Sequence, residues 1–279
     1  MLFRSAKDPR RQGALVRARS VWLAAVGGTP VEIAHPRPTM RRRVLIGAIA
    51  AGLAASVGLG VHLARERTVR TRRGEVRRLS MDDGSEAVMN AQTRMALRFS
   101  ETQRRVDLQD GEAWFDVAKD AARPFVVSTP AAQVVAVGTA FSVRETGAAT
   151  EVVVTEGTVR VTPANGGSAI LASAGETVRI DPARPARKDG LDPGRVRRRL
   201  AWREGLIMLD GETLAEAAAE FNRYNKRQIR VLPEVAGNRV VGVFRIHDEE
   251  GFARANAELL ILNLRVSADE ISLGPTVQS

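Results

Sequence analysis

Residues 134–143 read VVAVGTAFSV and carry a strong strand pattern. Val135, Val137, Thr139, Phe141 and Val143 fall on one side of an extended backbone, and smaller residues alternate with them on the other side. Turn-forming glycines follow at 147, 157, 166 and 175, about nine residues apart. We therefore predict one continuous strand over 134–143, inside an all-β meander of hairpins over 65–181 that closes into a barrel, sandwich or β-roll.

The pattern changes on the C-terminal side of this domain. Residues 182–199, PARPARKDGLDPGRVRRR, are basic and contain proline, which predicts a linker without a strand or a long helix. Over 200–279 the periodicity predicts βαββαβ with one extra terminal strand, a small α/β domain. Thr213 and Glu216 form a capping box at its first helix, Asp248 caps its second, and Phe221 and Tyr224 belong to its core.

On the N-terminal side, residues 44–64 read VLIGAIAAGLAASVGLGVHLA and contain no Asp, Glu, Lys or Arg. A helix of this length spans about 30 Å of hydrocarbon, so we predict a single-pass membrane protein. A buried core helix is an alternative, but such helices rarely run this long without a charge. A cleaved signal peptide is a second alternative, disfavoured by the 43 residues ahead of the run and by the lack of a clear A-x-A site after it.

The net charge of +10 is concentrated around this apolar segment. Residues 1–43 carry +8 and residues 65–78 carry +5, whereas 79–199 is neutral and 200–279 carries −3. The positive charge therefore indicates contact with a lipid bilayer. Because the two folded domains are neutral or acidic outside this region, the charge argues against direct nucleic-acid binding and against a membrane-anchored DNA-binding protein. The charge alone does not settle the orientation, because 29–43 holds four basic residues and 65–79 holds seven.

The residues favour no catalytic, cofactor or metal site. The chain has no cysteine, no glycine-rich phosphate loop and only three histidines, which are widely separated. The acidic residues of interest fall at turns or on polar helix faces, where we expect solvent to surround them: Asp83, Asp110, Glu156, Glu216 and Glu220. We therefore expect a protein without enzymatic activity that binds a partner or transmits a signal.

A series of short motifs in the order of the chain closely resembles the FecR family of bacterial sigma regulators. The motifs over 68–273 are Asp83-Gly84-Ser85, Asn90-Ala91-Gln92-Thr93, Leu108–Val117, Arg123–Val127, Val137–Val143, Val154–Val159, Ala174-Gly175-Glu176, Ala201–Gly205, Leu214-Ala215-Glu216, Glu220–Tyr224 and Gly242-Val243-Phe244. Each motif is weak by itself, and their order makes the resemblance specific.

This resemblance implies a transmembrane anti-sigma factor with five parts. These are a short cytoplasmic segment over 1–43, a transmembrane helix over 44–64, a periplasmic FecR-type β domain over 65–181, the linker over 182–199 and a signal-receiving α/β domain over 200–279. The last domain would be like the short N-terminal domain of secretins and TonB-dependent receptors. The resemblance also implies an inner-membrane protein with its N-terminus in the cytoplasm and its C-terminus in the periplasm.

The partners that the resemblance implies lie on both sides of the membrane. They are an extracytoplasmic-function (ECF) sigma factor in the cytoplasm and a ligand-loaded TonB-dependent transporter of the iron and siderophore type in the outer membrane. Residues 15–25 resemble the cytoplasmic region of the family, and the candidate sigma-contact residues are Leu15, Arg17, Trp22 and Leu23. This helix could instead lie on the anionic inner leaflet. An alternative function is an envelope structural or glycan-binding protein that uses the β domain for adhesion.

Overall fold

The computed structural model describes residues 66–147 and 149–276. Within them, the first part of the chain forms an all-β domain whose thirteen strands make one continuous sheet. The strands are β1 Arg67–Arg70, β2 Arg77–Ser80, β3 Glu86–Met89, β4 Arg94–Phe99, β5 Arg104–Asp116, β6 Phe125–Ser128, β7 Ala132–Ala136, β8 Ala140–Glu145, β9 Thr150–Glu156, β10 Thr158–Pro163, β11 Ile170–Ser173, β12 Glu176–Ile180 and β13 Arg187–Gly190.

The long strand β5 belongs to two halves of this sheet. Its first half pairs with β4 and, in parallel, with β6, and its second half pairs with β3 and β8. One half of the sheet has the order β1-β4-β5-β6-β7-β10-β11, and the other has the order β2-β3-β5-β8-β9-β12-β13. Both halves contribute to one hydrophobic core, in which the ring of Phe115 lies 5.6 Å from that of Phe125 and 5.5 Å from that of Phe141.

The connections form a roll and not a simple meander. The turns at Gly147 and Gly166 close the hairpins β8–β9 and β10–β11, as the turn pattern predicts. At Gly157 and Gly175, however, the chain passes from one half of the sheet to the other. Only Gly157 separates β9 from β10; it has φ +77°, and a Cβ there would lie 2.7 Å from Cγ2 of Thr139. A single residue cannot close a hairpin, so the chain changes sheet half.

The prediction of one continuous strand over 134–143 is also wrong, because the chain changes sheet half within this stretch. β7 ends at Ala136 and β8 begins at Ala140, and the two strands lie in different halves of the sheet. Gly138 between them has φ +114°, and a Cβ there would lie 2.4 Å from Cγ of Lys119. The alternation of the sequence is continuous, but the glycine lets the backbone turn within it.

A buried ion pair corrects the expectation that Asp83 is solvated. The side chain of Arg104, at the start of β5, is fully buried and contacts Oδ2 of Asp83 at 2.7 Å. The same guanidinium donates to the carbonyl oxygens of Ala118 and Arg123 at 2.9 and 2.8 Å. Asp83 is therefore the counterion of a buried arginine, with its turn held by hydrogen bonds to Ser85.

The prediction of an irregular linker over 182–199 is also wrong, because this segment carries β13 and helix α1, Pro193–Leu200. β13 pairs with β12 through backbone groups, and Lys188 on β13 contacts Glu176 at 2.8 Å. Asp192 caps α1 by accepting from the amide of Arg195, and proline at the first helical position needs no amide hydrogen bond. The prolines therefore mark element boundaries here.

The C-terminal part has the predicted order of strands and helices. It comprises a short 3-10 helix over Ala201–Glu204, β14 Leu206–Thr213, α2 Leu214–Asn222, β15 Gln228–Val231, a second 3-10 helix over Pro233–Val235, β16 Arg239–Arg245, α3 Glu249–Leu259, β17 Leu262–Val266 and β18 Glu270–Pro275. β14 and β16 form an antiparallel ribbon, and β15-β18-β17 forms a second sheet. The capping box of Thr213 and Glu216 and the cap of Asp248 are confirmed, and Phe221 and Tyr224 are buried.

The predicted membrane span over 44–64 lies outside the residues that the structure describes. In the described ranges, none of the helices has the length and apolar character that crossing a membrane requires.

Candidate functional site

The outer face of three central strands of the β domain carries a row of polar and aromatic side chains. β5 contains a bulge, since Arg94 pairs with Asp110 but Met95 pairs with Leu108. The extra residue, Gln109, reverses the side-chain alternation, because each residue in a strand points opposite to its neighbour. Val106 and Leu108 before the bulge and Phe115 after it belong to the inner core, whereas Glu112 and Trp114 lie on the outer face.

The neighbouring strands present matching residues on the same face. The cross-strand partners of Glu112 and Trp114 on β8 are Arg144 and Ser142, and Val88 on β3 lies opposite Trp114. Asn90 follows β3 and donates a backbone hydrogen bond to the carbonyl of Glu112 at 2.8 Å. These residues together form a platform against which the C-terminal part packs.

Glu112 is the centre of this platform and is only 5% exposed. Its carboxylate accepts hydrogen bonds from Nδ2 of Asn90 at 2.9 Å, from Nε1 of Trp202 at 2.9 Å and, more weakly, from Oγ of Ser142 at 3.4 Å. Two of these donors belong to the β domain, while Trp202 lies in the 3-10 helix that precedes β14. One buried carboxylate therefore joins the β domain to the C-terminal part of the chain.

Helix α2 and the residues that follow it supply further polar contacts between the two parts. Glu220 lies between two arginines, at 2.8 Å from Arg223 and 3.3 Å from Arg144, and Arg223 lies 3.7 Å from Glu112. Two residues after the end of this helix, the hydroxyl of Tyr224 donates to Oδ1 of Asn90 at 2.9 Å. The two arginines and two glutamates balance one another in charge, as buried ionic groups require.

We call this set the interdomain polar cluster. It consists of Asn90, Glu112, Ser142, Arg144, Trp202, Glu220, Arg223 and Tyr224.

Burial and neighbouring charges affect the members of the cluster differently. Burial raises the pKa of Glu112, and the opposing attraction of Arg144 and Arg223 does not cancel the effect. Burial acts in the same direction on Glu220, but Arg223 and Arg144 outweigh it and hold the pKa of Glu220 below its ordinary value. Burial and the charge of Glu220 raise the pKa of Tyr224, so its hydroxyl remains a neutral donor. Glu220 is thus the firmly ionised carboxylate, and Glu112 is the one that protonates more readily.

Apolar packing surrounds the cluster. Val88 and Ala91 of the β domain share a hydrophobic core with Trp202, Phe221 and Tyr224 of the C-terminal part. The guanidinium of Arg203 lies 3.8 Å above the ring of Trp114, a cation–π contact. Contacts of this kind hold the two parts together, and the described residues belong to one compact unit.

A cleft of about 620 Å³ opens beside the cluster. It is bordered by Arg144, Trp202, Glu220 and Arg223 of the cluster, by α1 and by β14. Several of its arginines already have acidic partners, since Arg198 contacts Asp210 at 3.0 Å and Arg199 contacts Glu151 at 2.8 Å. Among the described residues, no group of three or more His, Asp or Glu side chains is arranged to hold a metal ion.

The sequence predicted a different site. Leu15, Arg17, Trp22 and Leu23, the candidate sigma-contact residues, lie outside the described residues. The expectation that Glu220 is solvated on a polar helix face is wrong, because it is partly buried between two arginines. The sequence pattern predicted no functional role for Glu112. Regular alternation with Val106 and Leu108 would place it inside the core, and only the unpredicted bulge turns it outward.

The comparisons with known proteins agree with this fold. Residues 67–160 match the family described as FecR protein, a segment that includes Asn90, Glu112, Ser142 and Arg144 of the cluster. No curated protein matches the sequence. Two crystal structures, at 1.65 and 2.50 Å resolution, of a candidate anti-sigma factor from Parabacteroides distasonis have a similar fold.

Each of the two structures is 22% identical to this chain, with a TM-score of 0.65, and the match covers 76% of this chain and all of that protein. The structural likeness therefore extends beyond the FecR segment into the C-terminal part of the chain. The predicted likeness of residues 200–279 to the short domain of secretins and TonB-dependent receptors stays a prediction. Residues 67–160 therefore match the FecR family, as the sequence motifs predict.

Proposed function

We propose that this protein is an anti-sigma regulator that controls an ECF sigma factor and has no catalytic activity of its own. The observation that carries the proposal is the FecR domain over 67–160. The fold shared with a candidate anti-sigma factor supports it. The proposed sigma-binding element is the predicted helix over 15–25, with Leu15, Trp22 and Leu23 in a groove of the sigma factor and Arg17 beside it.

The proposal places residues 44–64 across the inner membrane, with the C-terminal domain in the periplasm. There the domain receives a signal from a ligand-loaded TonB-dependent transporter engaged in iron or siderophore uptake. The interdomain polar cluster supports a transmission role, because a force on α2 reaches the β domain through Glu220, Arg223 and Tyr224. Two parts joined only by a solvated linker would not transmit such a force.

The first experiment tests sigma binding with the full chain. The protein is co-expressed with each ECF sigma factor of its host, and co-purification and a sigma-dependent reporter are measured. The double variant Leu15→Glu/Trp22→Glu is expected to lose both co-purification and its effect on the reporter, because each charge would enter an apolar groove. Arg17→Gln serves as the milder control. If the double variant behaves as the wild type, or no sigma factor co-purifies, the proposal is wrong.

The second experiment tests transmission and orientation. Trp202→Phe combined with Tyr224→Phe removes two hydrogen bonds between the two parts and retains the apolar contacts. Sigma binding is expected to persist while the response to the inducing signal falls. Reporter fusions at both ends test the orientation, and we expect cytoplasmic activity at the N-terminus and periplasmic activity at the C-terminus. An unchanged response in the double variant would contradict the role of the cluster.

A further inference from the structure

The strand β16 has an open edge that carries exposed valines. β16 pairs with β14 and with no other strand in the part of the chain that the structure describes. Val241 and Val243 on β16 are 66% and 57% exposed, which is unusual for valines on a strand. Met208 on β14 lies directly opposite Val243, so an apolar surface continues across the ribbon. An open strand edge with exposed apolar residues is a template for pairing with another strand.

The backbone of β16 is oriented to accept another strand. The amide of Ile246, just after β16, donates to the carbonyl of Gly205 at 3.0 Å, which fixes the phase of the antiparallel ladder. In such a ladder every second residue bonds to its partner strand, so Phe244 and Gly242 bond toward β14. The amide and carbonyl groups of Val241 and Val243 consequently point toward the open edge. The residues with exposed side chains are also those with available backbone groups.

Arginines flank this apolar centre. Arg239 and Arg245 lie at the ends of β16 on the same face as Val241 and Val243, and all four are exposed. A cavity of about 190 Å³ on this face is lined in part by Met208, both valines and Arg197 of α1. Arg197, Arg239 and Arg245 form no ion pair within the described ranges, although Arg239 donates a hydrogen bond to the carbonyl oxygen of Gly211 at 2.7 Å. No contacting carboxylate therefore neutralises their charges.

The same charges disfavour a second copy of this strand in the register that covers the whole edge. The sequence of β16 is RVVGVFR. An antiparallel pair of two such strands, centred on Gly242, would place Arg239 of each copy directly opposite Arg245 of the other. Like charges directly opposite one another destabilise a strand pair. The edge therefore selects a strand of different composition, with acidic residues where β16 has arginines.

We propose that the open edge of β16 binds an extended segment of another protein, which adds to the β14–β16 ribbon as a third strand. The segment would carry two apolar residues at alternate positions, packed against Val241 and Val243, and an acidic residue at each side for Arg239 and Arg245. This site deepens the proposed function and rests on it, since it identifies where the C-terminal domain receives its partner. Strand addition of this type derives affinity from backbone hydrogen bonds and specificity from the alternate side chains.

The test uses the full chain and a labelled probe peptide, Thr-Glu-Thr-Val-Thr-Val-Thr-Glu-Thr, with binding measured by fluorescence anisotropy. Val243→Asp is expected to weaken binding by about tenfold or more, because it places a carboxylate in the apolar centre. The matched control is Val266→Asp, on β17 of the other sheet, where the valine is 39% exposed. This control should bind as the wild type does. Asp is less favourable than Val in a strand, so both variants should lower the melting temperature slightly and by similar amounts.

Two altered peptides separate strand addition from a general apolar or ionic contact. Replacing both glutamates of the peptide by lysines should abolish binding, because lysines would face Arg239 and Arg245. N-methylation of its two valines should also abolish binding, because it removes the amides that would bond to β16. The inference is overturned if the original peptide does not bind, if the lysine or methylated peptide binds equally well, or if Val243→Asp has no effect.

The outcome is distinguishable from that of the proposed function. In cells, Val243→Asp should reduce the response of the sigma reporter to the inducing signal and leave sigma binding intact. If Leu15→Glu/Trp22→Glu abolishes sigma binding but the peptide does not bind, the proposed function stands and the docking edge is refuted. If the peptide binds but no sigma factor co-purifies, the edge is supported as a binding site and the proposed function fails.

Discussion

The hydrogen bond between Trp202 and Glu112 provides a quantitative test of how the two parts of this molecule are joined. Trp202→Phe removes the buried indole N–H that lies 2.9 Å from Oε1 of Glu112. The lost hydrogen bond to a charged group costs about 1.5–3 kcal/mol. The smaller ring adds about 1 kcal/mol in lost apolar burial. We expect the free energy of unfolding to fall by about 2.5–4 kcal/mol at a pH where Glu112 is ionised.

Trp114 offers a matched control within the same interface. Its Nε1 is buried and has no hydrogen-bond partner, so Trp114→Phe removes no hydrogen bond. We expect a cost below about 1 kcal/mol, because the loss of ring burial is offset by the removal of a buried N–H without a partner, and the smaller ring can still stack beneath Arg203. The difference between the two variants is therefore an upper limit for the hydrogen bond to Glu112.

Urea unfolding of the full chain, followed by circular dichroism, would supply both free energies, provided that the dependence on urea is unchanged. The cost of Trp202→Phe should shrink as the pH falls through the raised pKa of Glu112, because the hydrogen bond is strongest to the ionised form. Equal costs for the two variants at all pH values would refute the assigned role of Trp202.

Three further predictions concern the β domain and its buried charges. Asp83→Asn should cost about 3–5 kcal/mol at pH 7 by leaving Arg104 buried without a counterion. Burial alone would raise the pKa of Asp83, but hydrogen bonds from Ser85 and Arg104 hold this pKa below its ordinary value of 3.8. Thermal melts should therefore show the full stabilisation by the Asp83–Arg104 pair above pH 3.8 and its loss as the pH falls through the lowered pKa. Gly157→Ala should lower the free energy of unfolding in urea more than Gly147→Ala does. Both glycines have positive φ, but only an alanine at 157 would place its Cβ against Thr139, and equal losses would exclude this steric contribution. Burial raises the pKa of Glu112 above 4.5, so the native state retains a proton that the unfolded chain has released. Between pH 4.5 and the raised pKa, the free energy of unfolding of the wild type should therefore fall with rising pH relative to that of Glu112→Gln. Parallel pH profiles of the two proteins in urea unfolding would contradict this.

Local chemistry determined much of this molecule. The capping box of Thr213 and Glu216, the cap at Asp248 and the helical spacing of Phe221 all act within a few residues, so the order of elements in the C-terminal part followed from the sequence. Turn glycines at 147 and 166 likewise marked real hairpins. Ordered short motifs also identified the FecR domain, because a set of weak local signals becomes specific through its order.

Tertiary structure alone decided the path of the chain between sheet halves and the position of the candidate site. Gly157 and Gly147 are both turn glycines in the sequence, but strand pairing makes Gly147 the turn of a hairpin and Gly157 a crossing between sheet halves. The bulge at Gln109 depends on the pairing of β5 with β4, and it places Glu112 on the outer face. The two shorter hydrogen bonds to Glu112 come from Asn90 and Trp202, which are 22 and 90 residues away. The periodicity of side chains in the sequence indicates which face of a strand or helix is buried, but the residues that pack against that face are determined by the tertiary fold.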